Sequence, residues 1–477
     1  MNKIRNYKYI GMLGIGLCIA SCKVPQVIQR AENKTVPGAY QNSRDTANMA
    51  SLSWRKFFTD QHLLNLIDTA LKNNQELNET LQEIEIARSE VGFKQQDLLP
   101  SVRARLGVGV EKVGRYTSQG AGDESTEITP GRKVPESLMD YTAALEADWE
   151  VDIWKKLHNA KKAAVTRYLS SVDGKNFVLS NLIAEVANTY YELLALDNQL
   201  VILNQTIELQ KNALEIMKIQ KEAGRETELA VQKFQAEVLN SEGKEFEIRQ
   251  SITEAENKIN FLLGRYPQEI PRDQGDFLSL NLAPVSTGIP SQLLANRPDV
   301  KQAEMELVAA KLDVKVARAE FYPSFNISAA LGFQAFTPHY LVKFPESVLY
   351  SLAGDLAGPL INRNAIKAEF RNANSRQLQA MYDYEKTILN AYMEVSNQLS
   401  RIHNLEKSYA LKSNEVDALN RSIDISNDLF KSARADYFEV LMTQRDALAS
   451  KLELIETKKE QLTTVTSIYR NLGGGWK

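Results

Sequence analysis

Two stretches of this chain contain no proline, one between Pro135 and Pro267 and one after Pro359, and the second also lacks glycine from Ile361 to Leu472. Proline removes a helix donor and clashes with the preceding turn, and glycine weakens a helix interior. Runs this long without proline, rich in Ala, Glu, Lys, Gln and Leu, predict very long helices. Lys155 to Ala223 alone would extend about 100 Å at 1.5 Å per residue, too long for a compact globule. Gly224-Arg225-Glu226-Thr227 turns the chain into a returning helix that ends at Leu262-Leu263-Gly264. In the later run, Ile361 to Lys431 goes out and Tyr437 to Leu472 returns, ending at Gly473-Gly474-Gly475. The two hairpins align: Leu229-Ala230-Val231 with Phe438-Glu439-Val440, Gln235 with Gln444, and Leu263-Gly264 with Leu472-Gly473.

What precedes each hairpin is also doubled. Asn296 to Phe333 reads as a charged, alanine-rich helix, a Pro323-Ser324 break, and then strict alternation from Phe325 to Phe333. Asn73 to Val110 repeats that order around Pro100-Ser101, and a gapless overlay pairs Asn73 with Asn296 and Gly109 with Gly332. A period near 3.6 gives way to a period of 2, which is helix into strand. The chain therefore reads as a diverged tandem duplication. Trp54, Phe57, Phe58, Leu63 and Ile67 open an amphipathic helix expected to run past Leu77 to about Leu98.

Four strands are expected. Val102 to Glu111 places Val102, Ala104, Leu106, Val108 and Val110 on one face, and Arg103 and Arg105 on the other. Tyr141 to Asp152 alternates most cleanly, with Leu145, Trp149 and Val151 on one face against Glu146, Asp148, Glu150 and Asp152. Its length and aromatic ends suit a membrane-spanning strand with an apolar lipid face and a polar lumen face, although a half-buried strand would also alternate. The fourth strand, around Val348 to Ala357, has a partly apolar second face but carries Asp355. Lys112 to Ser137 and Thr337 to Glu346 read as loops.

The N-terminus has basic Lys3, Arg5 and Lys8, an apolar run too short to span a bilayer as a helix, and then Ile19-Ala20-Ser21-Cys22. That ending resembles a bacterial lipobox with Cys22 as the acylated residue. Cys18, preceded by bulky Leu17, is a poorer acceptor, and an ordinary signal peptide is the alternative. These are the only two cysteines, so a mature chain starting at Cys22 has no disulfide framework and no thiolate metal site. The net charge of −3 implies no broad basic surface for nucleic acid. The chain thus divides into a signal peptide (1–21), a lipidated tether (22–53), a first repeat (54–266) and a proline-containing linker (267–290). A second repeat (291–476) completes it. Strands fall at about 101–112, 140–152, 324–335 and 347–357, and hairpins at about 155–264 and 361–472. Four strands cannot close a barrel, and an open edge cannot sit in hydrocarbon. Strands that span a membrane here must share a barrel with other copies.

Specific residues carry a resemblance: Trp54 with Phe57 and Phe58; Arg297-Pro298-Asp299-Val300 with Ala303-Glu304; Gly358-Pro359-Leu360-Ile361; and the terminal Tyr469-Arg470-Asn471-Leu472-Gly473-Gly474-Gly475-Trp476. The chain resembles the TolC-like outer-membrane factor family, in its lipoprotein branch serving resistance-nodulation-division efflux systems. The resemblance implies an α+β membrane protein: a homotrimer with a twelve-stranded outer-membrane β-barrel, continued by a periplasmic α-helical barrel of two tandem repeats per chain. It implies a passive, gated duct, completed by a periplasmic adaptor and an inner-membrane pump, with no cofactor. Pore-lining residues would be Arg103, Arg105, Glu146, Asp148, Glu150, Asp152 and Asp355, with the carboxylates favouring cations. The hairpin tips, Gly224, Arg225, Glu226, Ala433, Arg434 and Asp436, would meet the adaptor. The gate is expected there, but the second turn lacks the glycine frequent in the family. Glu439 matches one acidic family position and Met442 stands at the next, so Glu439 is the candidate constriction ring; a solvated helix-face glutamate is the plain alternative.

An enzyme is not indicated: His62, His158, His339 and His403 share no metal-ligand spacing, and no helix follows Gly473-Gly474-Gly475 to cradle a phosphate. A periplasmic coiled-coil scaffold or adaptor without a pore would explain the helices but not the strands. The nine methionines form no ladder for soft metals, so the cargo stays open among drugs, metals and larger molecules.

Overall fold

The computed structural model describes residues 30–40, 46–273, 275, 277–280, 284–358, 364–432 and 434–477. In chain order its elements are α1 (Trp54–Phe57), α2 (Gln61–Asn73), α3 (Gln75–Gln96), β1 (Ser101–Glu111), α4 (Ser118–Ser125), β2 (Glu127–Thr129), β3 (Arg132–Lys133) and β4 (Leu138–Val151). There follow α5 (Lys156–Glu222), α6 (Glu228–Leu262), α7 (Gln292–Asn296), α8 (Pro298–Ala319), β5 (Ser324–Ala335), α9 (Pro338–Leu341), β6 (Val348–Ala357), α10 (Asn364–Lys431) and α11 (Tyr437–Asn471). They form two compact units. One comprises Glu85–Tyr168 and Met305–Met381; the other comprises Glu32–Ile84, Leu169–Glu304 and Tyr382–Lys477. Among the described residues no helix is long and apolar enough to cross a membrane.

The first unit is built on an antiparallel sheet in the order β1-β4-β5-β6. Register assigns the faces. Ala104, Leu145, Leu331 and Tyr350 lie in one row across the sheet, and Arg103, Glu146, Ala330 and Ser351 in the next. Directly paired residues share a face, so one face is apolar from edge to edge. That face is open: Leu106 is 87% exposed, Tyr350 82% and Leu352 78%. Burial of such a surface at roughly 25 cal/mol per Å² is a driving force that this chain alone leaves unused. Beside the sheet, Phe321 meets Phe370 edge-on at 5.8 Å within a small core of Val314, Ala317 and Ala373. Trp154 stacks on Tyr322 at 4.7 Å and donates Nε1–H to the Pro323 carbonyl.

Two stretches read as loops contain structure. Within 112–137 lie α4, capped by Thr117 Oγ1 accepting from the Gly120 amide, and the β2–β3 ribbon. The second loop contains the short helix α9, with Pro338 at its start. A side-chain cap in the first and a proline at the first helical position in the second override the Gly/Ser/Pro composition.

In the second unit, the single helix expected from Trp54 to about Leu98 is three. Asp60 interrupts it by accepting from the His62 and Leu63 amides. Asn74 interrupts it again, in extended conformation, with its Oδ1 accepting from the Leu77 amide and its Nδ2 donating to the Leu262 carbonyl. Hydrophobic spacing runs through both breaks, so only the caps mark them. Phe57 stacks on Tyr469 at 4.1 Å, and Tyr469 OH donates to the Leu52 carbonyl. The segment before α1 is seated on the body: Asn33 N–H donates to Glu385, Lys34 pairs with Glu304 at 2.7 Å, and Tyr40 stacks on Tyr392. In the stretch between the repeats, Arg272 is held by Asp197 and Glu256.

The doubling extends to individual bonds. The Asn74 side chain donates to the Leu262 carbonyl at the end of α6; at matching positions, Arg297 Nη1 donates to the Asn471 carbonyl at the end of α11. Gly264 and Gly473, both at positive φ, follow those helices. A Cβ on either would come within 2.4 Å of a backbone oxygen, that of Asn73 or of Asn296. Only glycine allows this turn and this approach together. Thr227 and Asp436, again matching, cap the two returning helices.

Candidate functional site

Six of the seven candidate pore residues share one face of the sheet. Arg103 and Arg105 on β1, Glu146, Asp148 and Glu150 on β4, and Asp355 on β6 fall on the face opposite Leu145 and Leu331. Asp152 does not: β4 ends at Val151, and the Asp152 carboxylate accepts from the Leu157 and His158 amides at the start of α5 and contacts His158 Nδ1 at 2.5 Å. It caps a helix, because four unpaired amides attract a carboxylate more strongly than an open lumen does. The sequence marks this only by an aspartate a few residues before a helix.

Among the candidate pore residues the charges are largely matched. Glu146 accepts from Arg103 at 2.8 Å and from Arg105 at 3.0 Å, Arg103 also reaches Asp148 at 3.3 Å, and Glu150 pairs with Lys156 at 2.6 Å. A count of carboxylates therefore overstates the cation-attracting field. Among the described residues Asp355 has no ion-pair partner, nor do Glu111 and Asp140 on the same face, so these three carry the unmatched negative charge.

The helical unit has a polar surface of its own. On α5, Asn181, Glu185, Asn188 and Glu192 lie opposite the Tyr190 that bonds Asp60. They line a cavity of about 670 Å³ with Lys258 and Arg470. Arg297 borders it. Burial opposes the Arg297 charge, but Asp299, at 2.6 Å, and Glu394, at 2.8 Å, more than offset this and hold its pKa above the ordinary arginine value.

At the first hairpin tip, Gly224 takes positive φ, the Arg225 amide donates to the Gln220 carbonyl, and Lys221 pairs with Glu228 across the turn. Arg225 is exposed and Glu226 half-buried. At the second tip, the Arg434 amide donates to the Leu429 carbonyl, and the exposed Asp436 accepts from the Phe438 and Glu439 amides. Ala433 and Cys22 lie outside the described residues, as do Pro359, Leu360 and Ile361 of the family motif. Glu439 is exposed in the first turn of α11. Its backbone is fully engaged, and its carboxylate has no partner among the described residues. Beneath the tips Leu214, Met217, Val231, Phe234, Val238 and Leu441 form one core. Leu229 and Phe438 escaped the sequence reading. They hold matching positions beside the two tips, 60% and 52% exposed; their pairing in the hairpin alignment was the available signal. Among the described residues no cluster of His, Cys, Asp or Glu could hold a metal ion.

A sheet with one apolar and one charged face, on a chain with two helical hairpins of this length, fits a barrel-forming membrane channel. The match to known proteins makes the class specific: residues 66–265 and 289–474 fit the outer membrane efflux protein family, and the chain belongs to it. It is similar to the pyoverdine export outer membrane protein OpmQ of Pseudomonas aeruginosa, 28% identical over 89% of this chain and 87% of that protein. It is also similar to the cation efflux system protein CusC of Escherichia coli, 25% identical over 95% and 93%. Among solved structures, a membrane protein from Pseudomonas aeruginosa superposes with a TM-score of 0.86 at 23% identity, covering 95% of this chain and 98% of that one. The outer membrane protein VceC of Vibrio cholerae superposes with a TM-score of 0.78 at 20% identity, over 89% and 98%. The protein is thus an outer-membrane efflux channel of a Gram-negative bacterium that extends into the periplasm, with the TolC-like α+β fold.

Proposed function

We propose that the protein acts as a homotrimeric, lipid-anchored duct that passively conducts cargo delivered by a periplasmic adaptor and an inner-membrane pump of the resistance-nodulation-division type. The observation that carries this is the four-stranded sheet. Its apolar face is open, and β1 and β6 have no neighbour on their outer edges among the described residues. Four antiparallel strands place β6 of one copy antiparallel to β1 of the next, so identical copies close a barrel without a change of pairing. Three copies give twelve strands and room for a lumen. Acylation of Cys22 would hold each chain at the membrane during assembly. Free energy for export comes from the pump, and the duct carries out no catalysis. Relatives are named for pyoverdine export, cation efflux and toluene efflux. That breadth supports a conduit whose cargo is chosen elsewhere.

The closed end lies at the hairpin tips, with Glu439 as the constriction ring; three carboxylates brought to one axis repel and attract counter-ions. Planar-bilayer conductance of the purified trimer tests the reading. A quiet wild type beside a conducting Glu439→Ala variant supports both duct and gate. Equal conductance from both supports the duct and removes Glu439 from the gate. Silence from both, in a folded trimer, refutes the freely gated duct.

A further inference from the structure

Between Leu203 and Met217 the core stripe of α5 is interrupted once. On α5, Leu203, Ile207, Gln210, Leu214 and Met217 follow the alternating three- and four-residue spacing of a coiled-coil seam. Leu203 and Ile207 pack with Leu448 of α11 in one apolar cluster, and Leu214 and Met217 pack with Val238 and Leu441 in another, nearer the tips. Between the clusters lie three polar residues at seam positions: Gln210 on α5, Ser241 on α6 next in spacing after Val238, and Gln444 on α11 between Leu441 and Leu448. They are 1%, 1% and 8% exposed. Both amide atoms of Gln210, the Ser241 hydroxyl and the Gln444 carbonyl oxygen find no hydrogen-bond partner among the described residues.

We propose that this layer is the hinge of the gate, the level at which the tip segments tilt or slide against the rest of the hairpins when the duct opens. The inference rests on the gated-duct reading and adds the place where motion is concentrated. Apolar clusters interlock by shape and resist displacement. A layer of buried, unpaired amides has no specific bond to lose, and displacement lets those amides reach water or one another. In the gated-duct reading the packed layer belongs to the closed state, which the buried amides penalise, and an apolar replacement should favour closure. Gln210→Leu fills the seam with the residue type found above and below it. Ser241→Ala removes a hydroxyl with almost no change in volume and serves where Gln210→Leu does not assemble.

The experiment measures interchain distances between nitroxide labels in the full-length protein in liposomes. Labels are placed on the tip side of the layer, at Arg225→Cys, or on the far side, at Glu247→Cys. The expected result is that Gln210→Leu or Ser241→Ala narrows the distance distribution at Arg225→Cys and leaves that at Glu247→Cys unchanged. In the conducting Glu439→Ala background, the frequency of openings in planar bilayers should fall about tenfold when Gln210→Leu is added, as expected from relieving one buried unpaired amide. Narrowing at both labels, or at neither, overturns the hinge. Absence of any interchain distance at either label overturns the trimeric duct, and the hinge with it.

Discussion

At the scale of single residues, Arg297 and Tyr469 hold the helical unit most specifically. Arg297 is 5% exposed and joins Asp299, Glu394 and the end of α11. Its removal strands the largely buried Asp299 carboxylate and the Asn471 carbonyl, while Glu394 can turn to water. Arg297→Ala should lower stability by about 3–5 kcal/mol, read as a lower unfolding temperature of the detergent-solubilised protein. Arg297→Lys should recover little, since an ammonium cannot form the two-pronged contact. Tyr469 is buried against Phe57, and burial pushes its pKa up to about 12. The folded chain keeps this phenol neutral while the unfolded chain ionises near pH 10. Its contribution is complete below that pH and is lost as pH rises toward 12. Tyr469→Phe, which costs about 1 kcal/mol at neutral pH through the lost bond to Leu52, should show a shallower alkaline decline in denaturant titrations. Neither role is legible in the sequence beyond membership of a family motif, because each depends on partners far away in the chain: Glu394 and Asn471 for Arg297, Leu52 and Phe57 for Tyr469.

At the scale of elements, the strands and hairpins are legible, and their interruptions are not. Alternation along Leu138–Val151 and the absence of proline along Lys156–Glu222 are read directly from residue order, because each follows from backbone period or helix tolerance. The break at Asn74 is hidden because the apolar stripe continues through it, and the displacement of Asp152 from the pore face is hidden because alternation continues one residue beyond the ladder. The polar layer at Gln210 becomes visible only when the seam is registered against its partner helices. The lipid face offers a direct test. Leu145 on β4 sits mid-row between Ala104 and Leu331 and is 56% exposed. Leu145→Arg should cost about 2–4 kcal/mol in a bilayer, seen as lost refolding into vesicles with the helical content of the denaturant-free chain unchanged. Glu146→Gln on the opposite face should refold normally.

At the scale of the whole molecule, a barrel and a lipid would be separate attachments to one membrane. Cys22→Ala, which removes the proposed acylation, should leave assembled protein in the membrane fraction after an alkaline carbonate wash. Release into the supernatant would show that the acyl chain, and not the sheet, holds it there. The even number of strands in each copy has a consequence for stoichiometry. Because β1 and β6 run in opposite directions, the seam between neighbouring copies has the same polarity in a ring of any size. Hydrogen bonding at the seam is indifferent to how many copies take part. In the proposed ring the number of copies must then be set by packing other than strand polarity, and a change of subunit number could evolve there without altering the direction of any strand.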